Sequence, residues 1–126
     1  MMSHAKPQPE RLKILFADDE PNLQELMSLE LPRLGHEVTV CPDGLTAVAA
    51  LDLNTFDCLI VDLDMPGLNG IEVLTRVRRE SPQTEAIVLT GKSSLDSAIA
   101  ALRQGAFDYL TKPCKLAELA AILSRV

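Results

Sequence analysis

The chain has 126 residues, a length typical of one domain, and its 47% hydrophobic content is enough to form a buried core. Asp and Glu outnumber Lys and Arg by 18 to 12, which gives a formal net charge of −6. This acidity argues against direct binding to nucleic acid or to an anionic membrane, because both favour a basic face.

The first residues, MMSHAKPQPER, are polar and contain two prolines, so we expect a flexible leader over residues 1–11 and a folded domain over residues 12–126. The leader has no apolar segment typical of a signal peptide, and no apolar run approaches the length that spans a bilayer. The three cysteines have no metal-binding or redox spacing. These features predict a cytoplasmic protein with free thiols.

Short apolar segments alternate along the chain with segments that carry apolar residues at helical spacing. The apolar segments predict strands at residues 12–17, 38–41, 58–61, 86–90 and 107–110. The periodic segments predict a helix that begins near Pro21 and further helices at residues 45–51, 71–77, 95–102 and 116–123. Strict alternation predicts an α/β fold, a doubly wound parallel sheet with helices on both faces.

Two residues near the end of the first predicted helix give specific expectations. Pro32 lacks a backbone N–H, so the helix is expected to kink or stop near residues 28–31. His36 follows Leu-Gly and is predicted to be a surface turn residue.

Polar side chains follow four of the predicted strands, and ligands bind at the carboxyl ends of strands in open α/β sheets. Asp18 and Asp19 follow the first strand, and Asp62 follows the third. Thr90 ends the fourth strand, and Lys112 follows the fifth. We therefore expect these side chains to meet at one edge of the sheet.

Three carboxylates in one pocket would repel each other strongly unless a cation compensated their charge. Carboxylates together with a backbone carbonyl and waters suit Mg²⁺. Asp18, Asp19 and Asp62 are therefore candidate magnesium ligands, the carbonyl of Asp64 is a candidate to complete the set, and Lys112 would balance the remaining charge.

Asp62 directly follows four apolar residues, and Met-Pro-Gly at residues 65–67 then turns the chain away. A carboxylate exposed beside Mg²⁺ can act as a nucleophile toward phosphorus. The hydroxyl of Thr90 and the ammonium of Lys112 would then bind phosphoryl oxygens. Each residue alone is more typical of a turn or a helix cap, but the coincidence of four strand ends favours a phosphoryl-transfer site.

Four segments of the sequence, ILFADDEP, DCLIVDLDMPGLNGIEVL, IVLTG and GAFDYLTKP, together resemble the receiver domain of two-component response regulators. The resemblance covers residues 12–124. It implies a flavodoxin-like fold of five βα units, with the parallel strands in the order 2-1-3-4-5. It also implies a phosphoacceptor domain that catalyses only its own phosphorylation and dephosphorylation and is not otherwise an enzyme.

The resemblance further implies that Asp62 accepts a phosphoryl group from a sensor histidine kinase or a phosphotransfer protein. It implies Mg²⁺ held by Asp19, Asp62 and the Asp64 carbonyl, with Asp18 assisting directly or through water. Thr90 and Lys112 would be ligands of the phosphoryl group.

The same resemblance assigns roles around this site. Tyr109 matches the aromatic switch position that responds to the Thr90 hydroxyl, and Lys112–Pro113 is a candidate for a cis peptide bond. Asp64 and Lys92 lie at two positions that tune phosphoryl lifetime. The fourth helix, fifth strand and fifth helix would form the output surface, which contacts a downstream effector or output domain, or a second copy in a homodimer. The sequence leaves open whether the chain is a stand-alone receiver or the N-terminal domain of a longer regulator.

Two other classes of protein share part of this pattern. A haloacid-dehalogenase-type phosphatase also places two aspartates after a strand, as in Asp62 and Asp64, but its nucleophile lies near the N-terminus and Asp18 and Asp19 would have no role. A flavodoxin-like flavin-binding module would share the topology. The Asp-Asp-Glu-Pro segment after the first strand, however, would repel a flavin phosphate.

Overall fold

The computed structural model describes residues 11–91 and 95–126. The strands are β1 (Lys13–Ala17), β2 (Glu37–Cys41), β3 (Cys58–Asp62), β4 (Glu85–Thr90) and β5 (Asp108–Thr111). The helices are α1 (Pro21–Arg33), α2 (Gly44–Leu53), α3 (Gly70–Glu80), α4 (Leu95–Arg103) and α5 (Leu116–Leu123). Lys92 and all but the last residue of the predicted leader lie outside the described residues.

The strands form one parallel sheet in the order β2-β1-β3-β4-β5, so the predicted fold class and strand order are confirmed. Parallel neighbours need crossover connections, and helices α1 to α4 supply the four that join the five strands. The crossover through α1 joins β1 to β2 on one side of β1. The crossover through α2 returns to β3 on the other side of β1, and the later crossovers continue in that direction. The order of the strands therefore reverses at β1 and β3, which is where ligands bind in folds of this kind.

The core has two layers, one on each face of the sheet. Alternate residues of β1 enter different layers: Leu15 and Ala17 pack with α2 and α3, whereas Ile14 and Phe16 pack with α1 and α5. Every residue of β3 is buried, as expected for a central strand covered on both faces. The carboxyl ends of β1 and β3 thus emerge from a rigid, well-packed interior.

Helix α1 continues through Pro32 to Arg33, so the predicted stop near residues 28–31 is wrong. Pro32 lies in the last turn, and the missing N–H therefore costs the helix a single bond near its end. The following amides close the turn, since Leu34 N donates to Glu30 O and Gly35 N donates to Pro32 O. A proline this close to the C-terminus is tolerated because few ladder bonds remain to be broken.

The prediction that His36 is a surface turn residue is also wrong. The side chain of His36 is buried, and its Nδ1 accepts a hydrogen bond of 3.0 Å from the backbone N of Leu12. The bond satisfies an amide at the beginning of the central sheet, and burial lowers the pKa of the imidazole. Spacing along the sequence could not reveal this role, because Leu12 lies 24 residues away.

Within residues 11–91 and 95–126, no helix has the length and apolar character required to cross a membrane.

Candidate functional site

The carboxyl edge of the sheet brings together side chains from the ends of four strands. Asp18 extends β1, since its backbone N donates to Cys41 O across the sheet. Asp62 is the last residue of β3, and Thr90 is the last residue of β4. Lys112 follows β5, and its backbone N donates to Thr90 O at 2.8 Å. The sheet itself therefore fixes the separation of these groups.

The ammonium group of Lys112 is the centre of the site. Its Nζ donates hydrogen bonds to Asp62 Oδ2 at 2.9 Å and to Glu20 Oε1 at 2.7 Å, and it forms an ion pair with Asp18 Oδ2 at 2.9 Å. The side chain of Asp18 is 0% exposed and that of Asp62 is 5% exposed, whereas that of Glu20 is 57% exposed. Two of the three carboxylates are thus held in the protein and one reaches in from the surface.

Short local hydrogen bonds orient the two buried carboxylates. Asp18 Oδ1 accepts from the backbone N of Glu20 at 2.9 Å, and Gln24 Nε2 on α1 donates to the carbonyl of Asp18 at 2.7 Å. Asp62 Oδ1 accepts from the backbone N of Asp64 at 3.0 Å. Each carboxylate therefore has one oxygen bonded to its own loop and one directed at Lys112.

The electrostatics of the site are unbalanced, because three carboxylates surround one ammonium. Burial raises the pKa of Asp18 above its ordinary value, although the Glu20 amide and Lys112 act in the opposite direction. Burial alone would lower the pKa of Lys112, but its hydrogen bonds with Glu20, Asp18 and Asp62 outweigh this effect and raise it. Lys112 is therefore firmly charged, and the site retains excess negative charge that can attract a cation.

The donor set fits a hard divalent cation. Asp18, Glu20 and Asp62 each offer a carboxylate oxygen, and these oxygens lie within 4.8 Å of one another. Asp18 Oδ2 is fully buried, and among the described residues the ammonium of Lys112 at 2.9 Å is the cation that faces it. Oxygen ligands of this kind suit Mg²⁺.

The acidic group differs in one member from the predicted set. Asp19 is exposed and is not one of these three carboxylates, whereas Glu20, which was not among the predicted residues, is. Glu20 was missed because sequence reasoning followed the residues nearest the strand end. The available signal was its position directly before α1, from which a long side chain can reach back over the sheet edge.

Thr90 and Tyr109 lie on the same face of the sheet. Val88 pairs with Tyr109 and Thr90 pairs with Thr111, so the alternation of strands places Thr90 and Tyr109 on one side. Thr90 is buried and its hydroxyl donates to the carbonyl of Gly91 at 3.2 Å, whereas Tyr109 is half-buried against the layer that contains Val88. The Lys112–Pro113 peptide bond next to this pair is cis. Asp64 is exposed, and Lys92, the other residue at a position expected to tune phosphoryl lifetime, lies outside the described residues.

Comparisons with known proteins agree with this geometry. A family model of the response regulator receiver domain matches residues 14–124. The chain is similar to transcriptional regulatory protein TcrA of Mycobacterium tuberculosis, with 41% identity over 112 residues that cover 89% of this chain and 44% of TcrA. The chain spans roughly half the length of the first curated relatives it matches.

Solved structures give the same result. A response regulator receiver domain protein from Clostridium thermocellum superposes with a TM-score of 0.84 and 32% identity, covering 90% of this chain and 91% of that one. Chemotaxis protein CheY4 of Vibrio cholerae gives a TM-score of 0.84 and 31% identity, covering 93% of this chain and 99% of that one. The comparisons give no support to the haloacid-dehalogenase alternative based on Asp62 and Asp64.

Proposed function

Because the chain belongs to the response regulator receiver domain family, we propose that Asp62 accepts a phosphoryl group from the phosphohistidine of a sensor histidine kinase or a phosphotransfer protein. The observation that carries this proposal is the position of Asp62. Its carboxylate stands at the tip of a fully buried strand, with one oxygen bonded to the Asp64 amide and the other 2.9 Å from Lys112 Nζ. A nucleophile held in this way is oriented before the phosphodonor arrives.

The transfer is an in-line displacement at phosphorus. An oxygen of Asp62 forms the new P–O bond as the bond from phosphorus to the leaving atom breaks, and the leaving group departs with the electron pair. With phosphohistidine as the donor, the leaving group is an imidazole nitrogen. When the phosphorylated ring is uncharged, this nitrogen leaves as an imidazolate and takes up a proton. The protein acts as a signalling domain that catalyses only its own phosphorylation and dephosphorylation.

Asp18 and Asp62 are the residues we expect to hold Mg²⁺, with Asp19 and the Asp64 carbonyl as further candidates from the family pattern. When bound, Mg²⁺ neutralises charge on the phosphoryl oxygens. The burial of Asp18 and the excess negative charge of the site, where three carboxylates surround one ammonium, support this assignment. Lys112, whose Nζ lies 2.9 Å from Asp62 Oδ2, provides a second positive charge beside the acceptor.

Phosphorylation of Asp62 would change the conformations of Thr90 and Tyr109. The Thr90 hydroxyl, which donates to its neighbouring carbonyl, is close to the end of β3 and can turn toward a phosphoryl oxygen on Asp62. Movement of Thr90 would open space on the face of the sheet that it shares with Tyr109. Two arrangements of this pair would provide the two states that a switch requires. Asp64 and Lys92 are proposed to tune how long the phosphoryl group survives.

The proposed output surface consists of α4, β5 and α5. Helix α4 exposes three apolar side chains at helical spacing on this surface, namely Leu95, Ile99 and Leu102. Exposed apolar residues grouped in this way are typical of an interaction site. The partner would be a downstream effector, an output domain or a second copy of the chain, in the cytoplasm, without direct contact with nucleic acid or a membrane.

The test is an intact-mass measurement after incubation with Mg²⁺ and acetyl phosphate. Wild-type protein should gain one phosphoryl group, and the gain should disappear without Mg²⁺ and in the Asp62→Asn variant. An adduct of unchanged yield in Asp62→Asn would show that another residue is the acceptor. A folded wild-type protein that gains no adduct from acetyl phosphate or from a phosphorylated histidine kinase would contradict the proposal.

A further inference from the structure

The strongest unassigned feature of the site is the contact between Glu20 and Lys112. An ammonium group has three N–H donors, and three carboxylate oxygens already lie within 2.9 Å of Lys112 Nζ. An incoming phosphoryl oxygen can therefore bind this ammonium closely only if one carboxylate gives way. The identity of that carboxylate determines which contact must break before phosphoryl transfer and therefore slows it.

Two of the three carboxylates are poorly placed to move. Asp62 is the proposed acceptor, and Asp18 is fully buried with its other oxygen bonded to the amide of Glu20. If Asp18 turned away from Lys112, its carboxylate would also leave the position from which it is proposed to hold Mg²⁺, and no solvent would compensate the buried charge. Glu20 is 57% exposed, so its carboxylate can pass into water at small cost.

The helix end does not hold Glu20 in place. Glu20 is the N-cap residue of α1, yet its side chain makes no capping hydrogen bond. The backbone N of Gln24 is bonded to the carbonyl of Glu20, not to its carboxylate. Among the described residues, Lys112 is thus the partner of this carboxylate, and the 2.7 Å contact is the shortest of the three around Nζ.

From these contacts we infer that Glu20 is a removable counter-ion of Lys112, which holds the ammonium before phosphorylation and must release it when a phosphoryl group arrives. This inference rests on the proposed phosphorylation of Asp62. It makes Glu20 a positioning residue that slows phosphoryl transfer, both by competing for Lys112 and by repelling an anionic donor. Loss of the contact should accelerate transfer by about two- to fivefold, the range that an exposed ion pair is worth.

The test compares initial rates of phosphorylation by acetyl phosphate at saturating Mg²⁺, measured by intact mass. Glu20→Ala should react about two- to fivefold faster than wild type. Glu20→Asp should also react faster, although it keeps the charge, because the shorter side chain cannot reach Lys112 and an aspartate at an N-cap bonds to the helix amides. Glu25→Ala, which removes an equal charge from an exposed position on α1, should react at the wild-type rate.

A second readout follows the contact itself. In ¹⁵N-labelled protein, the ammonium protons of Lys112 should exchange with water faster in Glu20→Ala than in wild type, and Glu25→Ala should leave the exchange unchanged. Equal or slower phosphorylation of Glu20→Ala would overturn the inference, and slower reaction would assign Glu20 to the cation instead. Absence of any adduct in wild type, with Asp62→Asn run in parallel, would instead overturn the proposed function.

Discussion

Gly70, the first residue of α3, lies directly against the backbone carbonyl of Asp62. A Cβ added at position 70 would stand 2.3 Å from Asp62 O and 2.7 Å from the Cα of Leu63. Both atoms belong to the backbone, which cannot turn aside as a flexible side chain can. The helix after the acceptor strand therefore packs on the acceptor residue itself, and this position requires a residue without a side chain.

Gly70→Ala should displace the end of β3 and with it the Asp62 carboxylate. We expect a loss of about 2 kcal/mol or more in the free energy of unfolding, at the upper end of overpacking effects because backbone must move. Phosphorylation by acetyl phosphate should fall at least tenfold in protein that remains folded, since about 1 Å of misplacement is costly in group transfer. Urea unfolding and intact-mass rates would measure the two effects.

The matched control for stability is Gly91→Ala, because a Cβ at that position would meet no atom of the described residues within 4 Å. It should change the free energy of unfolding by less than about 1 kcal/mol. Equal stability of Gly70→Ala and Gly91→Ala would contradict the prediction, because it would mean that α3 does not pack tightly on the backbone of Asp62.

Asp18 is expected to lower the stability of the fold at neutral pH. Its pKa is raised mainly by burial, so the charged form is disfavoured in the folded protein, and Asp18 stabilises the fold only at low pH, where it is protonated. Asp18→Asn keeps an oxygen that can accept from the Glu20 amide and removes the charge. It should increase the free energy of unfolding at pH 7 by about 1 kcal/mol, and the gain should shrink as pH falls toward 4.

Urea unfolding with and without Mg²⁺ would check this expectation. Mg²⁺ should stabilise wild type more than Asp18→Asn, because the variant has lost a ligand and a charge. Asp52→Asn, which removes a half-exposed charge from α2, serves as the control for net charge. Lower stability of Asp18→Asn at pH 7 would mean that the pairing with Lys112 outweighs the cost of burial.

His36 should make the fold sensitive to mild acid. Its Nδ1 must be unprotonated to accept from Leu12 N, and burial lowers its pKa below the usual 6.5. A lowered pKa means that this stabilisation is present above about pH 6.5 and is lost as pH falls below it. His36→Asn keeps an acceptor at the position of Nδ1 and does not titrate in this range.

The measurable quantity is the difference in free energy of unfolding between wild type and His36→Asn. Wild type should lose stability relative to His36→Asn as the pH decreases from 7.5 to 5.5. The contributions of the carboxylates cancel in this difference because both proteins contain them. An NMR titration in which the His36 ring protonates at or above pH 6.5 would contradict the argument.

Sequence patterns predicted the secondary structure well where burial alone decides it. The apolar segment at residues 58–61 became a strand buried on both faces, and the element α5 has the bounds that its periodicity predicts. The patterns were less informative where contacts between distant residues decide the outcome. His36 is buried because the amide of Leu12 needs an acceptor, and no local property of its turn indicates this.

The same distinction applies to the site. Asp18, Asp62, Thr90 and Lys112 were predictable because strand ends in a parallel sheet share one edge. Glu20 was not, because its place depends on how far a flexible side chain reaches from the beginning of α1 toward Lys112, which is 92 residues away. A functional group whose position is set by the backbone can be predicted from the fold. A functional group whose position depends on the conformation of a long side chain can be located only in the three-dimensional structure.

The exposed apolar face of α4 gives a prediction about output. Ile99→Glu places a charge at the centre of this face, and it should weaken self-association or effector binding that depends on phosphorylation by at least tenfold, since burying an unpaired charge in an interface is costly. Phosphorylation by acetyl phosphate should stay within about twofold of wild type, because Ile99 lies outside the phosphoryl site. Leu53→Glu is the matched control, since Leu53 on α2 is also an exposed apolar residue but does not belong to the proposed output surface. Sedimentation of the phosphorylated proteins separates the possibilities. A dimer that Ile99→Glu abolishes and Leu53→Glu preserves would support self-association through α4. A monomeric phosphorylated wild type would contradict the homodimer and leave an effector or output domain as the partner to be sought.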